Sequence, residues 1–174
     1  MTTGGLRLEY RMGQFGHKYL RPLVMITLAC DPSVHKTSCP AVVLPALIDT
    51  GADTTCIPLK YARDCGHQFL RGKPVEMGGA TGAGVARLHS CRIQITGPGA
   101  QLADLQDGDF LPWTWNIRAY VCDKLEGIAL LGCQDFLTHW DFCMSKAKGT
   151  FSLTPVSPDV SLAVRRWRAA RGAK

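Results

Sequence analysis

The chain has 174 residues, 46% apolar and 20% charged, a size that fits one ordinary domain or two very small ones and needs no disulfide or metal staple. This composition excludes wholesale disorder, and no apolar run reaches the roughly 18 residues that span a bilayer. Of the net charge of +6, five positive charges sit in the last ten residues, at Arg165, Arg166, Arg168, Arg171 and Lys174. Without them 15 basic residues face 14 acidic ones. The basic pI therefore describes a tail and not a basic groove, so no nucleic-acid or membrane partner is expected, the tail being the one segment able to touch an acidic surface.

In chain order, the first 22 residues read as an N-terminal extension or edge element. Met1-Thr-Thr-Gly-Gly-Leu-Arg7 lacks the apolar core of a signal peptide, and a cytoplasmic location is expected. Leu23 to Cys30 reads as a strand, apolar and partly β-branched. A polar loop from Asp31 to Pro40 precedes a second strand, Ala41 to Ile48, in which Pro45 predicts an edge or a bulge. Lys60 to Asp64 reads as one helical turn. Pro74 to Met77 and Val85 to Ile95 flank Gly78-Gly-Ala-Thr-Gly-Ala-Gly84, and two extended arms around four glycines predict a hairpin. On its return arm Cys91, Ile93 and Ile95 share one face and Arg92 and Gln94 the other.

Gly97 to Pro112 reads as a loop whose aspartates, Asp104, Asp107 and Asp109, lack EF-hand spacing and are expected to be solvated. Ile117 to Cys122 is a strand. Gly127 to Gly132 is apolar, Gln134 to His139 reads as a short helix, and Phe142 to Thr154 as a hairpin turning near Lys148-Gly149. Pro155 and Pro158 end the domain, followed by a basic tail (156–174) in which Ser161 to Arg171 reads as a short helix or a disordered end. The expected class is all-β.

The eight cysteines contain no Cys-x-x-Cys pair. His89 and Cys91 are two apart, but no second pair at ligand spacing follows. Most of the cysteines are read as small, buried, reduced apolar residues, and no metal or cofactor is expected. Trp113 and Trp115 alternate at strand spacing and read as packing residues. His89 has no nucleophile motif beside it, and the glycine-rich hairpin lacks the Gly-Lys-Ser/Thr of a phosphate-binding loop.

One segment carries chemistry: Leu47-Ile48-Asp49-Thr50-Gly51-Ala52-Asp53-Thr54-Thr55. A carboxylate at the end of a buried strand is costly unless compensated. Gly51 brings backbone amides close to it, and Thr50 supplies a short hydroxyl. By itself Asp-Thr-Gly also fits an Asx-turn closing a strand.

With its apolar approach, Ala46-Leu-Ile-Asp-Thr-Gly-Ala-Asp53 resembles the catalytic signature of the retropepsins, the homodimeric aspartic proteases. The resemblance continues in order through the glycine-rich hairpin Met77 to Gly84, similar to that family's flap. It runs on through Ala129-Leu-Leu-Gly132 with Asp135-Phe-Leu137 and the final hairpin, covering about residues 23 to 154 of a domain expected over 23–155. The resemblance implies a closed, compact all-β barrel with one short helix, a flap and a dimeric active site. It implies Asp49, Thr50 and Gly51 as catalytic residues. Acid-protease chemistry needs two carboxylates about 3 Å apart sharing one proton, and this chain has one Asp-Thr-Gly, so a homodimer is expected.

By the same resemblance, Thr50 bonds across the dimer to its mate, Gly51 and Asp53 bind an extended peptide backbone, and Met77, Gly78, Gly79 and Ala80 close over it. Ala52, Ile57, Leu130 and Leu131 line apolar pockets. The family usually follows the second glycine with Arg, which pairs with the acid at the position of Asp53. Here Gly132-Cys133-Gln134-Asp135 has none, leaving Arg87, Arg118 and Lys124 as alternative partners. The implied activity is endopeptidase. The rival reading is a catalytically silent dimeric module that binds peptides or scaffolds a complex. An aspartyl-phosphate enzyme lacks the acidic Mg²⁺ site it needs.

Overall fold

The computed structural model describes residues 6–14, 19–35, 39–78, 84–100 and 102–172. Among these residues the strands are β1 (Leu8–Arg11), β2 (Leu23–Cys30), β3 (Val42–Ile48), β4 (Cys56–Pro58), β5 (Lys73–Met77), β6 (Gly84–Thr96), β7 (Phe110–Cys122), β8 (Ala129–Leu131), β9 (Trp140–Ser145) and β10 (Thr150–Pro155). Two α-helices accompany them, α1 (Leu59–Asp64) and α2 (Pro158–Gly172). The expected helix at Gln134–His139 is only a 3₁₀ turn, Leu137–His139.

Six strands close into a barrel in the order β2-β3-β8-β4-β7-β6, with β6 pairing back onto β2, and β5 extends the sheet beyond β6. Period-two alternation fills its interior. Val24, Ile26 and Leu28 of β2, Cys91, Ile93 and Ile95 of β6, and Leu111, Trp115, Ile117, Ala119 and Val121 of β7 are all buried. Arg92 and Arg118, one residue out of phase, face solvent. The all-β expectation holds at this level: mostly strands, closed as a barrel, with α1 its one short helix. Trp113 stacks on Trp115 with centroids 4.3 Å apart and meets His139 and Trp140 edge-on, so the tryptophans do pack.

Pro45 causes no bulge. Ile48 sends its N–H to Pro22 on the β2 side, and Asp49 sends its own to Leu131 on the β8 side. Alternation puts the missing N–H of Pro45 on the β8 side. Pairing with β8 begins only at Ala46, so no ladder bond is lost.

The ends of the chain are not appendages. Leu8 to Arg11 pair with Leu153 to Thr150. Tyr10 stacks on Phe151 at 4.8 Å and donates its hydroxyl to the Thr96 carbonyl at 3.1 Å. In α2, Val160, Ala163, Val164 and Trp167 form a buried i, i+3, i+4, i+7 stripe. The Trp167 indole lies flat against Gly97, where any Cβ would collide with it, and its Nε1 donates to Gly108 at 3.1 Å. Asp109, expected to be solvated, pairs with Arg171 at 2.8 Å. The boundaries expected after residues 22 and 155 are therefore not breaks in packing, because both terminal segments carry apolar stripes that the barrel covers. Among the described residues no helix is long and apolar enough to cross a membrane.

Replacing Trp167 by Ala should lower the unfolding free energy by about 3–5 kcal/mol. Urea denaturation checks this, and a change below about 1 kcal/mol would mean that α2 is not part of the cooperative unit.

Candidate active site

The acidic motif sits where the chain crosses itself. β3 leads into Asp49, but the next strand, β4, does not pair with β3. β8 lies between them, parallel to β3 and paired antiparallel with β4 at Cys56–Leu130. The loop from Asp49 to Thr55 therefore passes over the end of β8, and what it passes over is Gly132. A Cβ there would lie 2.5 Å from the Thr54 carbonyl carbon and 2.7 Å from its nitrogen. Only glycine permits that approach.

Beyond the crossing, backbone and side chain tie the two segments together. Cys133 donates to the Ala52 carbonyl at 2.9 Å and Gln134 to that of Asp53 at 2.8 Å. Asp135 accepts from the Thr55 amide at 2.8 Å, the Thr55 hydroxyl at 2.6 Å and the Phe136 amide at 2.7 Å. Tyr120 of β7 donates to the Thr55 carbonyl at 3.0 Å. Asp135 and Thr55 thus position the loop; the sequence pattern placed Asp135 only in a helix.

Held in this way, Asp49 is half-buried at the exit of β3 while Thr50 and Gly51 are exposed. The Gly51 amide donates to Asp49 Oδ1 at 2.9 Å and the Ala52 amide to the Asp49 carbonyl at 3.2 Å. A Cβ on Gly51 would stand 3.3 Å from that carboxylate oxygen, so glycine lets the amide approach. The half-buried carboxylate is held by this backbone bond to Oδ1. The Thr50 carbonyl accepts from the Cys133 thiol at 3.4 Å.

Beside Asp49 lies a small apolar shelf. Cys56, Ala86 and Cys122 are its buried members, and Met77, Tyr120, Leu125 and Leu130 pack on them. Met77, the last residue of β5 before the hairpin turn, joins it through a 3.4 Å contact of its sulfur with that of Cys122. The Cys56 thiol is pushed well above its ordinary range, first by its bond to Cys122, then by burial, with the charges of Asp135 and Asp49 adding. Cys122 shifts down because it accepts that bond.

Some expected residues converge here and others do not. Asp49, Thr50, Gly51 and Ala52 share the loop, and Met77 and Leu130 share the shelf. Gly78 is exposed at the hairpin's edge; Gly79 and Ala80 lie outside the described residues. Ile57 and Leu131 are fully enclosed in the barrel core and line no surface pocket. The pleat is the reason: Cys56 and Leu130, one residue away on each strand, point to the shelf instead. Strand alternation across Cys56–Ile57 was the signal that could have found Cys56.

The Asp53 carboxylate is exposed and has no ion pair or hydrogen bond among the described residues. Arg87 donates to the carbonyls of Leu70 and Gly72 at 3.2 and 3.0 Å and lies over Phe69, so it does not serve Asp53. Arg118 and Lys124 are exposed. Two surface clefts of the single chain, one between Asp104 and Arg171 and one along Thr27, Val43 and Arg92, do not include Asp49. No protein-family model matches the chain, and no curated protein matches it.

Asp135→Ala should cost about 1–3 kcal/mol by leaving the Thr55 amide and hydroxyl unpaired. Gly132→Ala should cost at least that, since backbone and not a flexible side chain occupies the space. Chemical denaturation tests both, and an unchanged midpoint for Gly132→Ala would refute the close crossing.

Proposed function

We propose that this chain is an aspartic endopeptidase of retropepsin type, built from its barrel as a homodimer in which each subunit contributes one Asp49. The observation that carries the reading is the Asp49 turn. A half-buried carboxylate is anchored by the Gly51 amide at 2.9 Å, near an apolar shelf that includes Met77, the last strand residue before the glycine-rich segment. A turn that only closed a strand has no need of such a shelf.

In the proposed dimer the two Asp49 carboxylates meet across a two-fold axis and share one proton, since like charges about 3 Å apart cannot both ionise. They hold a water between them. The ionised carboxylate takes a proton from that water as its oxygen attacks the scissile carbonyl, and the protonated one gives its proton to the carbonyl oxygen. The gem-diol collapses with return of a proton to the leaving nitrogen, yielding a carboxylic acid and an amine. Each proton is passed between Asp49, water and substrate, so no cofactor enters.

The dimer also supplies what the single chain lacks: Thr50, exposed here, gains a mate across the axis, and Asp53 reaches the substrate backbone. An extended peptide adds between the loop and the hairpin in the manner of a further strand, with Met77 and Gly78 beside it. Cys56, Leu130 and Met77 favour apolar residues beside the cut. Eight cysteine thiols suit a reducing compartment, and the cytoplasm is the proposed location.

Cleavage of a peptide library between acidic and neutral pH tests this. The rate should follow a bell-shaped profile, and below the dimer dissociation constant it should rise as the square of protein concentration. Asp49→Asn should reduce kcat by about 10²-fold or more while leaving the dimer intact in sedimentation. Cleavage undiminished in that variant would overturn the reading. A peptide-binding dimer with no cleavage would favour the silent module.

A further inference from the structure

Five metal-ligating side chains from three segments meet at the far end of β2. Cys30 is its last residue. His35 and Cys39 belong to the loop that follows, and Cys65 and His67 to the turn after α1. The donor atoms of Cys30, His35 and Cys39 lie within 4.8 Å of one another, and so do those of Cys30, Cys65 and His67. Cys30 is common to both sets.

The backbone builds this cluster. Asp31 accepts the Ser33 amide and hydroxyl at 2.9 and 2.7 Å, and its carbonyl accepts the His35 amide at 2.9 Å, folding the loop back toward β2. On the other side Cys65 and His67 donate their amides to Tyr61 and Ala62, at 3.1 and 2.8 Å. Gly66, at φ 94°, makes the turn between them, and a Cβ there would lie 3.5 Å from Cys39 Sγ. Cys39 therefore sits directly against the Cys65-Gly66-His67 turn.

A second observation points to a ligand. His67 is 3% exposed, yet among the described residues its Nδ1 has no hydrogen-bond partner. Its other nitrogen meets Cys91 Sγ at 3.5 Å, and its ring contacts the edges of His35 and His89, both at 5.1 Å. Burying an imidazole nitrogen without a bond is costly unless something else occupies its lone pair.

We propose that Cys30, Cys39, Cys65 and His67 bind a structural Zn²⁺ ion, with His35 packed beside it. Three thiols and one imidazole are the donor set of a closed tetrahedral zinc site, and thiolates disfavour Mg²⁺ or Ca²⁺. Bond lengths of about 2.3 Å to sulfur and 2.0–2.1 Å to nitrogen space the donors by roughly 3.5–3.8 Å. Within each of the two donor triads, whose atoms lie within 4.8 Å of one another, this asks for a contraction of about 1 Å. On binding, each of the three thiols releases its proton to solvent as its sulfur forms the metal bond, and His67 binds through its free lone pair. The ion would tie the end of β2, the following loop and the end of α1 into one unit, independently of the chemistry at Asp49.

The full chain, expressed in zinc-supplemented medium and purified under reducing conditions, should retain about one zinc per chain by elemental analysis. After chelation and refilling with Co²⁺ it should show the intense visible bands of a tetrahedral thiolate site, and zinc should raise the thermal midpoint. Cys39→Ser and His67→Ala should each weaken zinc binding by about 100-fold or more, whereas exposed Cys143→Ser and Asp49→Asn leave it unchanged. His35→Ala should have the smaller effect of a neighbour. Wild-type protein with no tetrahedral Co²⁺ spectrum, or zinc retained equally by Cys39→Ser and His67→Ala, overturns the proposal. A larger loss in His35→Ala overturns the assignment of His67.

Discussion

The molecule turns on one steric constraint, the passage of the Asp49–Thr55 loop across Gly132. Because β8 is inserted between β3 and β4, the chain must leave the barrel wall, step over a neighbouring strand and re-enter. The step is possible only where the underlying residue has no side chain, and it is then secured by Asp135 gripping Thr55. Both ends of the loop are anchored in closed sheet. The Asp49 carboxylate between them is held at the surface in one orientation, with the Gly51 amide fixing one oxygen. Preorganised carboxylates are what acid–base chemistry requires, since an acid that must find its place loses the advantage of proximity.

The same crossing explains why the shelf beside Asp49 is made of the residues it is. β4 and β8 enter it out of phase with the barrel core, so Cys56 and Leu130 face outward to Met77 and Cys122 while Ile57 and Leu131 fill the interior. Backbone bonds from Cys133 and Gln134 tie the loop to the segment after β8 within the chain, and the Asp53 carboxylate stays exposed.

Much of the fold was legible from local pattern. β2, the β5–β6 arms, β9–β10 with Gly149 at the turn, and the alternation of Cys91, Ile93 and Ile95 all follow from side-chain periodicity and turn residues. The aspartate motif was legible because a polar tripeptide after an apolar strand is conspicuous. Less legible was anything that depends on distant segments meeting. Docking of β1 and α2 depends on apolar stripes whose cover is distant in sequence, over a hundred residues for Tyr10 with Phe151 and about sixty for Trp167 with Gly108. Pro45 implied an edge because the shortness of β8, which leaves its imide nitrogen unopposed, is not visible within β3.

Sequence by itself determined the strand content, the glycine-rich hairpin and the single Asp-Thr-Gly, because these are set by residue type and spacing over a few positions. Tertiary structure alone decided which residues share a surface. It assigned Cys56 and not Ile57 to the shelf, gave Asp135 its role as the loop's clamp, and gathered Cys30, Cys39, Cys65 and His67 from spacings that match no metal motif. The physical reason is common to all three. Barrel closure sets which strands become neighbours, and burial then decides which of their polar atoms must find a partner.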